Sequence, residues 1–158
     1  MNLNLEELVP RILELVFSST LSMITRDFQS YPDHRMNFFT FLRAVINHAF
    51  ESLFSVPAEQ FKTIINCVIW AFKHDLSALY ELGLDILLVI LQRVNSDINI
   101  ANQFYQMYYL QLLNDILFVM TDSFHKSGFR KQAQILSILL EVIDSGCVIP
   151  SFFFLELF

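Results

Sequence analysis

Turn-forming residues are scarce in this sequence, which has only 3 glycines and 4 prolines among its 158 residues. Folds built from many short strands need such residues at short intervals, so their scarcity argues against a β-sandwich or a β-barrel. Hydrophobic residues make up 54% of the chain, and 17 of them are phenylalanine. The composition therefore predicts a few long helices with a bulky apolar core, in a chain long enough for one ordinary domain.

Charged residues are also few, at 16% of the chain, and the formal net charge is −6. No basic run is longer than Arg130 and Lys131, which argues against binding to nucleic acid through its phosphates. Mean hydropathy is +0.48, yet Lys73, Asp85 and Arg93 interrupt the apolar runs well before the ~20 residues that a membrane span needs. We therefore expect no membrane insertion, and the N-terminal residues do not resemble a signal peptide.

The 2 cysteines, Cys67 and Cys147, lie far apart in the sequence. Because Cys67 is surrounded by apolar residues, we predict that it is a small buried side chain and not half of a disulfide. Free thiols of this kind are typical of a reducing compartment such as the cytosol or the nucleus.

Apolar spacing predicts six helices. Pro32 and Pro57 suit the first turns of the second and third helices, and Asp75 is a candidate cap for the fourth. An isolated glycine, Gly83, is expected to permit close packing between helices. The predicted helices cover residues 5–26, 32–51, 58–74, 76–94, 98–121 and 130–145.

The second, fourth and sixth helices share a pattern in which the polar residues form one narrow stripe and the remaining positions are apolar. In the second helix, for example, Asn37 and Asn47 are expected in water, while Phe38, Phe39, Phe41, Leu42, Val45 and Ile46 face partner helices. A helix that is apolar around most of its surface must be covered on several sides, as happens when helix pairs stack.

We therefore predict an all-α fold, a HEAT-repeat α-solenoid of about three antiparallel helix hairpins. The repeats are expected at about 1–51, 57–94 and 98–145, forming a partial array over residues 1–146 that is followed by an atypical Phe-rich tail at 147–158. A four-helix bundle is the alternative architecture, but it does not explain the matching stripes on alternate helices.

Three histidines, His34, His74 and His125, fall in predicted turns and raise the possibility of a metal site. Stacked helices lie ~8–10 Å apart, whereas zinc requires nitrogen ligands at ~2.0–2.1 Å. Equivalent turns of successive hairpins therefore cannot all reach one ion. We predict hydrogen bonds within the turns and contacts with helix ends for these histidines, and no metal.

A catalytic site is not indicated either. His74 and Asp75 could form an acid–base pair, but no nucleophile, oxyanion donor or glycine-rich phosphate loop accompanies them. We expect no enzymatic activity and no cofactor. An aromatic ligand box is also less favoured than core packing, although Tyr105 and Tyr109 are expected to show their hydroxyls at a surface; the aromatic residues concerned are Trp70, Phe104, Tyr105, Tyr108 and Tyr109.

Three stretches resemble the family of the major nuclear exportin, the karyopherins that carry proteins bearing leucine-rich export signals. They read VFSSTLSMITRDFQSYPDHRMNFFTFLRAV at 16–45, QFKTIINCVIWAFKH at 60–74 and FYQMYYLQLLNDILFVMTDSFHKSGF at 104–129. The resemblance implies a HEAT solenoid and a partial chain from the C-terminal part of a much longer receptor. The export-signal groove and its cysteine belong to earlier repeats of that family, so neither Cys67 nor Cys147 takes that role.

The resemblance also implies a function, namely binding of cargo together with Ran-GTP and transport through the nuclear pore, with shuttling between nucleus and cytoplasm. Ran, export cargo and nuclear pore proteins are then the partners of the full-length receptor, and this part supplies scaffold and inner-wall surface. A generic helical-repeat scaffold or a fragment of another karyopherin is the alternative. For any single candidate residue a merely solvated position is the favoured alternative. The candidate partner-binding residues are Asn37, Arg43, Asn47, Glu81, Asp85, Arg130, Gln134 and Glu141.

Overall fold

The computed structural model describes residues 5–26 and 31–144, and these residues form helices without any strand. The prediction of an all-α helical-repeat fold is therefore confirmed, while the Phe-rich tail lies outside the described residues. Two short 3-10 helices, Phe50–Ser55 and Ser123–Gly128, interrupt the α-helices. In chain order the α-helices are α1 (Leu5–Arg26), α2 (Pro32–His48), α3 (Ala58–Phe72), α4 (Ser77–Val94), α5 (Ile98–Thr121) and α6 (Phe129–Asp144).

The end of α2 is the main difference from the predicted helices, because the helix stops at His48 and does not continue to residue 51. Ala49 leaves the helical conformation, with φ −144° and ψ 39°. The 3-10 helix that follows buries Phe50 and Leu53. Apolar residues thus keep a helix-like spacing beyond the true end of α2, and this spacing is why the sequence predicted a longer helix.

Local sequence signals account for several helix starts. Pro32 occupies the first turn of α2, behind a left-handed Tyr31 with φ 68°. Pro57 directly precedes α3. Asp97 caps α5, since its Oδ1 accepts the backbone N–H groups of Asn99 at 2.8 Å and Ile100 at 3.3 Å. These caps satisfy amide groups that the first turn of a helix leaves without intrahelical partners.

The chain divides into two compact units, residues 1–86 and 87–158, with the division inside α4. In the first unit, α2 packs against α1 and against the 3-10 helix that follows α2. Five of the six α2 side chains predicted to face partner helices are buried, whereas Phe41 is half-buried. The aromatic ring of Phe39 stacks on that of Trp70 in α3, with centroids 6.1 Å apart. The buried five are Phe38, Phe39, Leu42, Val45 and Ile46.

In the second unit, α6 packs against α5 and both helices contact the 3-10 helix that joins them. Leu112 and Ile116 of α5 and Ile135 and Leu139 of α6 are fully buried. The hydroxyl of Tyr109 donates a hydrogen bond to the backbone oxygen of Leu139 at 3.2 Å. A short connection and this cross-helix bond fit an antiparallel hairpin.

Close packing at Gly83 is confirmed. A Cβ atom at this position of α4 would lie 2.5 Å from the backbone nitrogen of Phe72 and 2.9 Å from the backbone carbon of Ala71. Both neighbours belong to the end of α3, so only a residue without a side chain allows the two backbones to approach this closely.

The described helices contain no stretch that is long and apolar enough to cross a lipid bilayer.

Candidate protein-interaction surface

The polar stripe of α2 lies at the surface of the first unit. Asn37 and Arg43 are exposed, and Asn47 is half-buried. Exposed Asp33 and Thr40 fall on the same side of the helix, as the 3.6-residue repeat requires. The spacing in the sequence therefore identified the solvent-facing side of α2, while a binding role for these residues remains a prediction.

The stripe of α4 is narrower, because this helix is buried around most of its circumference. Glu81 and Asp85 are half-buried, one turn apart, between buried neighbours such as Leu82 and Leu84. The two carboxylates give this side of the first unit a negative strip. Partly desolvated carboxylates interact more strongly with a cationic partner than fully solvated ones.

The stripe of α6 is fully exposed in the second unit, with Arg130, Gln134 and Glu141 all open to solvent. Ser137, which lies on the same side, donates a hydrogen bond to Oε1 of Glu141 at 3.0 Å. This stripe carries both charge signs, so its electrostatic character differs from the acidic strip of α4.

The histidines in the turns form separate local contacts. His34 is exposed beside the Tyr31 ring at 5.8 Å, and His125 is buried with Nδ1 2.9 Å from Oδ2 of Asp122. The pKa of Asp122 is lowered mainly by the hydrogen bond from the backbone N–H of Phe124, with a smaller contribution from His125. Within the described ranges, no three His, Cys, Asp or Glu side chains converge as metal ligands.

Sequence reasoning missed a cluster around the buried side chain of Arg35, in which Trp70 and His74 are half-buried. This arginine is 3% exposed, and its guanidinium carbon lies 5.7 Å from the centre of the Trp70 ring. Its Nη1 atom is 3.5 Å from Nε2 of His74. A cation over an indole face is attractive, and the attraction is stronger when the cation is withdrawn from water, as Arg35 is. These contacts link the start of α2 to the end of α3. The residues near Arg35 in the sequence do not indicate them, because Trp70 lies 35 residues away.

His74 also organises the start of α4, a role that the sequence assigned to Asp75. Its Nδ1 accepts the backbone N–H of Leu76 at 2.9 Å. The pKa of His74 is lowered from its usual value, first by burial and then by the charge of Arg35, while Asp75 opposes the shift. Protonation would place a hydrogen on Nδ1 against the Leu76 donor and a positive ring beside Arg35.

This arrangement predicts that acidification destabilises the chain. Because the pKa of His74 is lower in the folded state, the unfolded chain binds more protons below about pH 6.5. The stability due to neutral His74 is complete above that pH and declines as the pH falls through this region. We expect the urea midpoint of His74→Asn to fall less between pH 7.5 and 5.5 than that of the natural chain. His34→Gln is the matched control, and equal pH dependence in all three proteins would contradict the assignment.

The aromatic set belongs to the core, as the helical spacing predicted. Phe104, Tyr105, Tyr108 and Tyr109 are buried in the second unit. The prediction that Tyr105 and Tyr109 show their hydroxyls at a surface is wrong. Tyr105 donates to Oδ1 of Asn95 at 2.7 Å, and Tyr109 donates to the backbone of Leu139. Partners within the protein remove the need for exposure to water.

Cys67 is buried as a free thiol, and burial raises its pKa to about 12. At pH 8 only about one such thiol in 10⁴ is ionised, and the thiolate is the reactive form. We expect Cys67 to react with a water-soluble disulfide reagent at least ~100-fold more slowly in the native chain than in urea. Cys147→Ser removes the second thiol, so that the signal reports Cys67 alone; rapid native labelling of this variant would contradict the assignment.

Comparison with known proteins shows which family this chain resembles. The family described as CRM1 C terminal matches residues 1–153. Exportin-1 of Dictyostelium discoideum is 48% identical over 145 residues, covering 91% of this chain and 14% of the relative. Exportin-1 of Schizosaccharomyces pombe is 45% identical over 90% of this chain and 13% of its own length. Protein EXPORTIN 1B of Arabidopsis thaliana is 41% identical over 87% of this chain and 13% of its own length.

The chain thus spans roughly one seventh of the length of these curated relatives. The match nevertheless covers almost all of its own residues, including the stripes on α2, α4 and α6. The chain belongs to the exportin-1 family, and the part of the family that it represents is the CRM1 C-terminal region.

Proposed function

We propose that this chain forms part of a nuclear export receptor, which binds cargo together with Ran-GTP and carries it through the nuclear pore. The proposal rests on one observation, the 48% and 45% identity to two Exportin-1 proteins over about nine tenths of the chain. Such a receptor shuttles between nucleus and cytoplasm and contacts nuclear pore proteins. It acts by binding, without chemistry or a cofactor.

Within the receptor, we propose that this region serves as scaffold and as part of the inner wall. Its hairpins, at about 1–51, 57–94 and 98–145, would continue a longer HEAT array in which each hairpin covers its neighbour. The exposed residues of α2 and α6 are the candidates for partner contacts in this role, together with the half-buried Glu81 and Asp85 of α4. Binding of Ran-GTP and of cargo would be coupled, because each ligand favours the receptor conformation that holds the other.

A chimaera tests the receptor assignment. The matching segment of Schizosaccharomyces pombe Exportin-1 is replaced by residues 1–144 of this chain, and nuclear exclusion of a reporter with a leucine-rich export signal is measured. We expect export to persist. A chimaera that is folded and abundant but exports nothing would refute the proposal and leave a generic helical scaffold as the better description.

Charge reversal in the same chimaera tests the inner wall. Arg43→Glu changes an exposed residue of the α2 stripe, and we expect it to weaken binding of Ran-GTP or of cargo about ten-fold, or ~1.4 kcal/mol. Lys62→Glu is the matched control, because it makes the same charge change at an exposed position of α3. Equal effects of the two substitutions would remove the stripe from the candidate surface.

A pull-down with an export-signal peptide and Ran-GTP tests whether this chain alone can bind an export signal. We expect the isolated chain not to capture the export-signal peptide, because the resemblance places the signal groove in earlier repeats. Strong capture of the peptide by this chain alone would contradict the role of scaffold and inner wall.

A further inference from the structure

The turn that joins α5 to α6 exposes two phenylalanines beside two cations. Phe124, in the 3-10 helix, is 78% exposed, and Phe129, at the start of α6, is 56% exposed. Lys126 and Arg130 are exposed as well. We call these four residues the basic aromatic turn. The Cα atoms of the two phenylalanines lie within about 10 Å of each other, at ~2.0 Å per residue of 3-10 helix.

Buried contacts on the inner side fix the shape of this turn. Oδ1 of Asp122 accepts the backbone N–H of Phe124 at 3.1 Å, and Oδ2 lies 2.9 Å from Nδ1 of buried His125. Gln132, which is also buried, donates from Nε2 to the backbone oxygen of His125 at 3.0 Å. Because these bonds hold the backbone, the exposed rings belong to a preformed surface, which lowers the ordering cost of binding.

The charge of the turn is opposite to that of the chain. Three of the 10 lysines and arginines fall within six residues, at Lys126, Arg130 and Lys131. Between residues 122 and 140 the single acidic residue is Asp122, so three cations and one anion give this segment a formal charge of +2, with histidine neutral. The whole chain carries −6. The turn is therefore a local site of attraction for anions on an acidic protein.

The basic surface is short, because the exposed side of α6 changes sign further along the helix. Glu141 is exposed 11 residues after Arg130, or ~16.5 Å along the axis, and Asp144 is exposed beyond it. An extended polypeptide covers ~16.5 Å in about five residues. A long polyanion, such as a nucleic acid strand or an anionic membrane surface, would also meet these two carboxylates, whereas a short acidic segment would not.

We propose that the basic aromatic turn binds a short acidic segment of another protein. About five residues of that segment are in contact, and they include an aromatic or leucine side chain among the carboxylates. The carboxylates pair with Lys126 and Arg130, and the apolar side chain packs against Phe124 and Phe129. Charge selects and orients the segment, while the removal of phenyl surface from water supplies attraction.

The inference gives one partner of the α6 stripe, to which Arg130 belongs, a chemical class. It does not rest on the proposed export function, because the probe is neither Ran-GTP nor an export signal and the assay contains no other receptor part. Failure of the receptor assignment would therefore leave the inference in place, and the reverse also holds.

Equilibrium binding of a model peptide to the full chain tests the proposal. The probe is a fluorescein-labelled peptide with two phenylalanines among eight aspartates and glutamates, and fluorescence anisotropy reports its binding. A contact this small is weak, so we expect a Kd on the order of 100 µM at low salt, an affinity that a pull-down does not retain. Replacing the phenylalanines with alanine, or the acidic residues with lysine, should weaken binding at least about five-fold.

Substitutions in the chain separate the charges from the rings. Arg130→Glu should raise the Kd at least about five-fold, because it replaces an attraction with a repulsion. Phe124→Ser combined with Phe129→Ser should have an effect of similar size, because the peptide then has no phenyl surface to cover. The altered side chains are exposed, so the helical circular dichroism should stay constant.

Arg93→Glu is the matched control, because it makes the same exchange at another exposed position of the second unit. Arg93 precedes the start of α5, whereas the turn follows the end of this 24-residue helix, which is ~36 Å long. Screening limits the effect of a charge to ~8–10 Å, so the Kd should be unaltered. Equal weakening by Arg93→Glu and Arg130→Glu would overturn the proposal, as would absence of binding by the natural chain.

Two other anionic ligands complete the test. The natural chain is titrated with single-stranded polyuridylate and with phosphatidylserine vesicles. We expect both to bind more weakly than the peptide, since each extends over Glu141 and Asp144. Stronger binding of either one would overturn the proposal, because it would assign the turn to a nucleic acid or to a membrane surface.

Discussion

Replacing Gly83 with alanine is expected to lower the free energy of unfolding by about 3 kcal/mol, at the upper end of the cost of overpacking. The added methyl group would lie 2.5 Å from the backbone nitrogen of Phe72. A flexible side chain could move aside, but this neighbour is backbone at the end of α3. The two helices must separate, and the contacts between them weaken. Urea unfolding followed by circular dichroism at 222 nm measures the change.

Whether Gly83→Ala lowers or raises the free energy of unfolding tests the close approach of α3 and α4. In an ordinary helix interior, exchanging glycine for alanine stabilises by about 0.5–1 kcal/mol, because glycine loses more backbone entropy on folding. Ala44→Gly is the control at an exposed position in the interior of α2, and we expect it to cost about 1 kcal/mol. A Gly83→Ala variant as stable as the natural chain, or more stable, would show that α3 and α4 do not approach as described.

The helices themselves were predictable because burial leaves a periodic pattern in the sequence. The bounds of α1 and α5 agree with the predicted ones, and those of α3, α4 and α6 differ by two residues or fewer. At the end of α2 the pattern failed, since Phe50 and Leu53 follow Ile46 at spacings of four and three. A 3-10 helix buries them just as a longer α-helix would.

Partners distant in the sequence could not be predicted in the same way. Arg35 is buried because Trp70 and His74 lie beside it, and neither neighbour is evident from the residues around Arg35. Tyr109 finds its acceptor 30 residues away, in α6. Helical spacing indicates which side of a helix is buried, but it does not identify the group that satisfies a buried polar atom.

For the candidate surface, the sequence predicted only which side of each helix faces solvent. Spacing on α2 and α6 correctly placed Asn37, Arg43, Arg130 and Gln134 in contact with solvent. On α4 the same reasoning marked Glu81 and Asp85, which are half-buried since this helix is covered on most sides. A binding role depends on a second molecule, which leaves no periodic signal in this chain. The family relationship therefore carries the functional argument.

Truncation of Phe39 to alanine should cost about 4 kcal/mol, within the ~3–5 kcal/mol found for buried phenylalanines. Phe39 is 1% exposed, and its ring stacks on Trp70 while meeting the edge of Phe38 at 5.2 Å. The substitution leaves a cavity between α2 and α3 and removes a ring contact worth ~0.5–1.5 kcal/mol. With a total stability of only ~5–15 kcal/mol for most domains, the melting temperature should fall markedly.

Two further substitutions separate the causes of that loss. Phe39→Leu keeps most of the apolar volume but removes the stacked ring, so we expect it to cost less than about 2 kcal/mol. Phe41→Ala, at a half-buried position of the same helix, should also cost less than Phe39→Ala, because fewer of its contacts exclude water. Thermal and urea unfolding of the three variants measure how much stability each one loses. If Phe41→Ala proved as damaging as Phe39→Ala, the packing of α2 on α3 through Phe39 and Trp70 would have to be abandoned.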